Sequence, residues 1–322
     1  MKTDHKLIFS TQRYAYLRDA VLGTPNAQAR GFLGGETEVN LFPDGERYQR
    51  ILSDVDGVET VLIGGTISDA DTLELYDLAC TLVSLGAASL ILVIPYFGYS
   101  TMERAVKKGE VVAAKTRAYL LSSIPTTAMG NRVILLDLHT EGLPYYFEGK
   151  IRPIHLYGKT LVTQACRELV GEADWQRRRF VLASTDAGRA KWVESLSNDM
   201  GVQAAFVFKR RIDGSRTEVT SISREVHGQY VIIYDDMIRT GGSLVGAAMA
   251  YQRAGARKIA SVTTHGLFTN GGLERIRQSG LFEAVVSTDS HPNAVEALAS
   301  CQDGFLRINS IAELLEEKLG EL

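Results

Sequence analysis

Two adjacent carboxylates, Asp235 and Asp236, follow the apolar run Tyr-Val-Ile-Ile-Tyr at 230–234, and Thr240-Gly241-Gly242-Ser243 begins four residues after the second acid. This spacing predicts a strand that carries two acids to its C-terminal tip, then a turn into a helix. In open α/β sheets, ligands sit beyond the C-terminal ends of the strands. Glycines let the backbone approach an anion closely, and successive N–H groups at a helix start favour a phosphate. A phosphate held there leaves a sugar beside the acids, where carboxylates can accept hydrogen bonds from two vicinal hydroxyls. The pattern fits a ribose 5-phosphate group better than a solvated pair of acids at a strand-to-helix turn.

Four further positions could do chemistry. His139 follows the run Val-Ile-Leu-Leu-Asp-Leu at 133–138, and Asp186 follows Phe-Val-Leu-Ala-Ser-Thr at 180–185. A lone histidine is more often structural, but placement at a strand's C-terminal end turns the reading toward function. Lys209 and Arg211 lie in Phe-Lys-Arg-Arg (208–211), just before Asp213-Gly214, a turn signal. Their flanks read as a hairpin or flap with the cations near its base. Mobile cations of this kind can close over an anionic group and stabilise transition-state charge.

The elements that position these residues alternate along the chain. Apolar, β-branched runs at 58–65, 89–97, 132–139, 179–185, 204–208, 230–236, 258–264 and 282–288 are separated by helix-like segments such as 69–85 and 242–254. Strands with little in–out alternation, separated by helices, predict parallel sheet covered on both faces. A weak internal repeat relates the segments beginning at 85 and 254, which lie 169 residues apart. We therefore expect two similar α/β domains, 1–152 and 153–305. The segment 306–322 reads as a closing helix, capped by Asn309 or Ser310 and packing back on the first domain. Where the second copy has its acid pair, the first has Gly-Gly-Thr (64–66).

Bulk properties exclude several classes. With 322 residues, 45% apolar and 23% charged, the chain suits one large or two medium soluble domains. A net charge of −3 argues against nucleic-acid binding through bulk charge. No stretch reads as a signal peptide or a membrane span. Three isolated cysteines fit a reducing, cytoplasmic setting. Competing nucleotide motifs are missing: no G-x-G-x-x-G follows a strand, and Gly158-Lys159-Thr160 has Pro153 where a P-loop has its first glycine.

The segment Val-Ile-Ile-Tyr-Asp-Asp-Met-Ile-Arg-Thr-Gly-Gly-Ser (231–243) resembles the binding motif for 5-phosphoribosyl 1-diphosphate (PRPP) in type I phosphoribosyltransferases and in ribose-phosphate diphosphokinases, the PRPP synthetases. Four other segments resemble the synthetases. Leu-Phe-Pro-Asp-Gly-Glu-Arg (41–47) is similar to a segment that contacts the nucleotide base, which implies that role for Asp44, Gly45 and Glu46. Val-Ile-Leu-Leu-Asp-Leu-His (133–139) is similar to a strand whose histidine lies near Mg-ATP, here His139. Ser-Thr-Asp-Ala-Gly (184–188) is similar to a segment whose aspartate binds metal, here Asp186. Phe-Lys-Arg-Arg (208–211) is similar to a segment whose first lysine and last arginine act at the transferred group, here Lys209 and Arg211. The resemblance spans nearly the whole chain. It implies α/β architecture with two tandem type I phosphoribosyltransferase-like domains, each a mostly parallel sheet flanked by helices. It also implies Mg²⁺-dependent transfer of the β,γ-diphosphoryl group of ATP to ribose 5-phosphate, and a homo-oligomer whose ATP site a neighbouring subunit completes.

Two segments depart from the common, class I pattern. Thr101 and Met102 stand where an Arg-Gln pair lies along the nucleotide, and the stretch through Glu103, Arg104 and Gly109-Glu110-Val111 is similar to the class II branch known from plants. That branch is independent of activating phosphate and tolerant of other nucleoside triphosphates. Arg239 stands where class I has aspartate in the phosphate loop. Two rival readings stay open here: a non-catalytic, synthetase-associated regulatory protein, and a phosphoribosyltransferase.

Overall fold

The computed structural model describes residues 5–211, 217–223 and 225–322. The chain divides into two compact units, one of residues 1–157 with 312–322, the other of residues 158–311.

The first unit is built on strands β1 (Lys6–Ser10), β2 (Phe32–Gly34), a hairpin of β3 (Thr37–Leu41) and β4 (Arg47–Ile51), then β5 (Glu59–Ile63), β6 (Ser89–Ile94), β7 (Asn131–Leu136) and β8 (Ile151–Leu156). Helices α1 (Ala15–Leu22), α2 (Asp69–Ser84) and α3 (Ala113–Ser122) connect them. The second unit contains α4 (Lys159–Val170), α5 (Glu172–Gln176), β9 (Phe180–Ser184), α6 (Ala190–Met200), β10 (Gln203–Ala205) and the strands β11 (Val207–Arg211) and β12 (Thr217–Ile222). It continues through β13 (Tyr230–Ile238), α7 (Gly242–Arg253), β14 (Lys258–Gly266), α8 (Gly272–Gln278), β15 (Val285–Thr288), α9 (Pro292–Ala299) and β16 (Leu306–Asn309). The closing helix α10 (Ala312–Gly320) belongs to the first unit.

The two sheets have the same topology. Their orders are β2-β1-β5-β6-β7-β8 and β10-β9-β13-β14-β15-β16, all neighbours parallel. In each unit an antiparallel pair, β3–β4 or β11–β12, is inserted between the second and third sheet strands. The repeat read at an offset of 169 residues is therefore a repeat of whole units. The same offset relates Asp44-Gly45, between β3 and β4, to Asp213-Gly214, between β11 and β12.

Burial explains the uniform strands. Every residue of β5 and β6 is buried, as expected for strands covered on both faces. In β13, Val231 and Ile233 pack in one cluster with Leu244, Ala247 and Tyr251 of α7. Ile232 and Tyr234 pack in another with Val162 of α4 and Val193 and Leu196 of α6. The period-2 alternation of a strand thus serves two helical layers.

The boundaries differ from those read in the sequence. β8 pairs with β7 from Asn131↔Ile151 to Leu136↔Leu156, so the first sheet runs past residue 152. Pro153 is tolerated because β8 is an edge strand. Residues 306–309 are not helical but complete the second sheet as β16. Asn309 ends that strand, and the Ser310 hydroxyl bonds Asp289 at 2.5 Å, so the helix starts at Ala312 instead. That helix meets the first unit through Lys6 Nζ, which donates to the Leu319 carbonyl at 2.7 Å, and through an Arg30–Glu316 ion pair. The three cysteines are free thiols, and burial pushes that of Cys166 up to about 12.

Candidate active site

Asp235 and Asp236 lie at the C-terminal end of the central strand of the second sheet. The neighbour β9 stops opposite Tyr234, at Ser184, so both acids extend past its tip. They do not end β13 itself, as the sequence suggested. Pairing with β14 continues to Ile238↔Gly266 and keeps the acids in extended backbone.

Alternation turns the two carboxylates to different partners. Asp236, 2% exposed, falls on the face of α6, where it forms an ion pair with Arg189 at the N-cap of that helix. On the same face, Trp192 of α6 stacks on Tyr234, ring centroids 4.2 Å apart. Asp235 accepts the Thr185 hydroxyl at 3.0 Å and the Asp236 backbone N–H at 3.1 Å. Burial, and then the adjacent Asp236 charge, hold the Asp235 carboxyl well above the ordinary carboxylate value, against the Thr185 hydrogen bond. Burial disfavours the charge of Arg189, but the charge and hydrogen bond of Asp236, with Tyr234 and Asp235, together outweigh it, and the guanidinium is held more firmly protonated than usual. Asp186, two residues past β9, receives the Gly188 N–H at 2.8 Å and contributes to the negative field at Asp235. The structure thus brings Asp186, Asp235 and Asp236 to adjacent strand ends and adds Arg189. Sequence reading missed Arg189, although it stands three residues after Asp186.

The anion loop follows directly. Arg239 and Thr240 are exposed, and Gly241 adopts φ +74° before α7 begins at Gly242. A side chain at Gly241 would be strained in backbone and would meet Ile276 and the Gly272 carbonyl of α8 at 2.8 and 3.0 Å. Arg275 Nη1 fixes the loop by donating to the Thr240 carbonyl at 2.6 Å. No side chain caps α7, and its first turn contains no acid. Its first intrahelical bond comes from the Val245 N–H, which leaves the N–H groups of Gly242 and Ser243, both exposed, outside the helical ladder.

Lys209 sits midway along β11, opposite Val219 and beside a register shift, and Arg211 pairs with Thr217. The hairpin reading holds for the two paired strands; the turn at 212–216 lies outside the described residues. The pairing of Arg211 with Thr217 places that residue at the far end of the strand pair, not near its base.

The first unit carries the other candidates. Asp44-Gly45-Glu46 form the exposed turn between β3 and β4, where the Glu46 N–H donates to Asp44 at 3.0 Å. Buried Glu74 of α2 anchors this hairpin through Arg47 at 3.1 Å and Gln49 at 3.3 Å. Thr101, Met102, Glu103 and Arg104 follow β6 in irregular backbone. Met102 is 46% exposed, Arg104 is exposed, and Tyr146 Oη donates to the Glu103 carbonyl at 2.5 Å. His139 is half-buried and does not end a strand. β7 stops at Leu136, and Asp137, with φ +37°, bends the chain before it. Among the described residues, no three His, Cys, Asp or Glu side chains gather into a metal cage, and no helix is long and apolar enough to cross a membrane.

Two family models match the chain: the N-terminal domain of ribose phosphate pyrophosphokinase over residues 7–124, and a phosphoribosyl synthetase-associated domain over residues 196–319. A ribose-phosphate pyrophosphokinase of Chlorobaculum tepidum is 33% identical over 274 residues, 84% of this chain and 78% of the relative. The chain belongs to the ribose-phosphate pyrophosphokinase family. Another member, from Ralstonia nicotianae, is 30% identical over 320 residues, 98% of this chain and 95% of its own. The fold agrees with the crystal structure of phosphoribosylpyrophosphate synthetase from Mycobacterium smegmatis, with a TM-score of 0.82 at 23% identity over 98% of this chain and 97% of that one. Family and fold are those that the five motifs implied.

Proposed function

We propose that the protein makes PRPP and AMP from ribose 5-phosphate and ATP. The observation that carries this reading is the meeting of an acid pair and an uncapped helix start at the end of β13. In it, Gly242 and Ser243 take the 5-phosphate with Thr240, Gly241 and Arg239, and Asp235 and Asp236 orient the sugar through its vicinal hydroxyls. The 1-hydroxyl then attacks the β-phosphorus of ATP, forming a new O–P bond as AMP departs. Lys209 and Arg211 supply positive charge to the moving group, where preorganised cations count most. Asp44, Gly45, Glu46 and the 101–104 segment take the nucleotide. Arg189 neutralises part of the acid pair, so that a doubly negative site does not face an anionic sugar.

Mg²⁺ fits this chemistry. It is commonly held by one or two carboxylates plus substrate phosphates, not by an all-protein cage. Asp186 and His139 are the residues proposed to hold it, with His139 also taking part in the reaction. The ion would neutralise charge developing on the phosphoryl oxygens.

The 101–104 segment also supports class II behaviour. Threonine and methionine lack the planar cation and the amide that can read a base edge. Discrimination among ATP, GTP, CTP and UTP should therefore be modest, with activity in phosphate-free buffer. A cytoplasmic homo-oligomer is part of the same reading. The test is AMP formation from ATP with and without ribose 5-phosphate, repeated for each donor with and without inorganic phosphate. AMP should appear only with the sugar phosphate. A folded protein that makes none would favour the non-catalytic, synthetase-associated alternative.

A further inference from the structure

The first sheet carries a charged feature of its own, at the N-terminal ends of its strands. A cleft of about 450 Å³ opens where β7 and β8 begin. Arg132, Lys150 and Arg152 line it, with Thr126, Gly130 and Asn131, and no Asp or Glu does. Arg132 and Arg152 are direct register partners on adjacent parallel strands. Neighbouring strands lie only about 4.8 Å apart, so two guanidinium stems start side by side on one face of the sheet. Like charges directly opposite destabilise a strand pair. The chain has more acids than bases, 38 against 35, yet none of these three cations has an ion-pair partner among the described residues. A cationic trio left uncompensated within an acidic chain calls for an anion from outside.

We propose that this cleft binds a phosphate-bearing anion. Two guanidinium forks and one ammonium match the oxygens of a phosphate, and arginine suits such pairing through its planar array of donors. The volume lies in the range of small-molecule sites and accommodates inorganic phosphate or the phosphate end of a nucleotide. The site is independent of the reading of Asp235 and the 240–243 loop, which lie in the other unit.

The test is calorimetric titration of inorganic phosphate into the intact protein. Ribose 5-phosphate and a non-hydrolysable ATP analogue are kept saturating, to occupy the reaction site. The wild type should take up phosphate, and Arg132→Gln/Arg152→Gln should weaken it by at least about tenfold, since each charge-assisted hydrogen bond is worth about that much. Lys150→Gln should weaken it less. The double variant should melt higher than the wild type in phosphate-free buffer, because the like-charge pair is gone. Phosphate should raise the melting temperature of the wild type only. AMP formation should be unchanged in both variants. Repeating the titration with AMP separates the two sources of the same chemistry: tighter binding than phosphate identifies a nucleotide, and equal binding identifies phosphate alone. Unchanged phosphate affinity in the folded double variant overturns the proposal. So does a double variant that changes oligomeric state with no loss of phosphate, which would mean a second copy covers the cleft.

Discussion

The first turns of α2 and α7 occupy the same place in the two repeated units, after the third strand of the same sheet topology, yet their chemistry is opposite. α2 is closed. Ser68 accepts the Asp71 N–H at 3.1 Å, and Asp69 and Asp71 put two acids into the first turn. Arg13 lies 3.6 Å from Asp71. The Gly64-Gly65 pair before it is there for packing: a Cβ at Gly64 would reach Thr11 at 2.7 Å, and one at Gly65 would reach Tyr14 at 2.5 Å. α7 has no side-chain cap and no acid in its first turn, and its acids stand back on β13. A helix start carries partial positive charge. One unit neutralises it internally, and the other leaves its first helical turn uncapped, with Gly242 and Ser243 exposed. The lesson is that a glycine-rich turn after a buried strand is not a phosphate site by itself; what fills the first helical turn decides.

The comparison extends to the inserted hairpins, and there the largest effect is expected. Lys209 stands in the hairpin of the second unit, Asp44 and Glu46 in that of the first. Lys209→Ala should lower kcat by about 10²–10³ with little change in KM, the usual consequence of removing one preorganised electrostatic contact. A change in KM alone would make Lys209 a binding contact and erase the contrast. Next comes Gly242→Asp, which gives α7 the acid that α2 has at Asp69. Space is open there, the nearest atom to a new Cβ being Thr240 Oγ1 at 3.9 Å. Ribose 5-phosphate affinity should fall at least about tenfold while the helix gains about 0.3–1 kcal/mol from its dipole. Weaker binding together with lower stability would point to misfolding. Ser68→Ala should cost about 1 kcal/mol in thermal or denaturant melts, the typical loss of a cap, and leave sugar-phosphate affinity untouched.

The smallest effect is a pH dependence. The Asp235 carboxyl is raised in the folded protein by burial and by Asp236. Below the ordinary carboxylate value it is protonated in folded and unfolded chains alike and costs nothing. As pH rises from that value to the raised one, the unfolded chain ionises first and stability falls. Asp235→Asn removes that loss. The variant should melt higher than the wild type at pH 8, and the gap should shrink as pH approaches 4. An equal gap at both would place the stabilisation elsewhere.

Much of this site was legible in sequence because its signals are local. An apolar strand, two acids and Thr-Gly-Gly-Ser occupy 14 consecutive residues, 230–243, and each element's local preference agrees with its final structure. Several of the strands that sequence reading missed have an environment set from outside. β8 contains a proline and straddles the domain boundary expected at 152/153, and only its edge position permits that proline. β3 and β4 are half-exposed and polar, and they pair with each other, outside the main sheet. β16 is four residues long and merges with the helix after it. Arg189 and the Arg132–Arg152 pair share one reason for being missed. Their meaning lies in which strand end or register partner they meet, and 47 residues separate Arg189 from Asp236.

The most direct test of the account is calorimetric titration of ribose 5-phosphate, and separately of ATP, into Asp235→Ala. The acid pair of β13 is assigned to the sugar, and the nucleotide contacts are assigned to the first unit. Sugar-phosphate affinity should therefore collapse while ATP affinity stays close to that of the wild type. A folded variant that still binds ribose 5-phosphate as the wild type does would contradict the account.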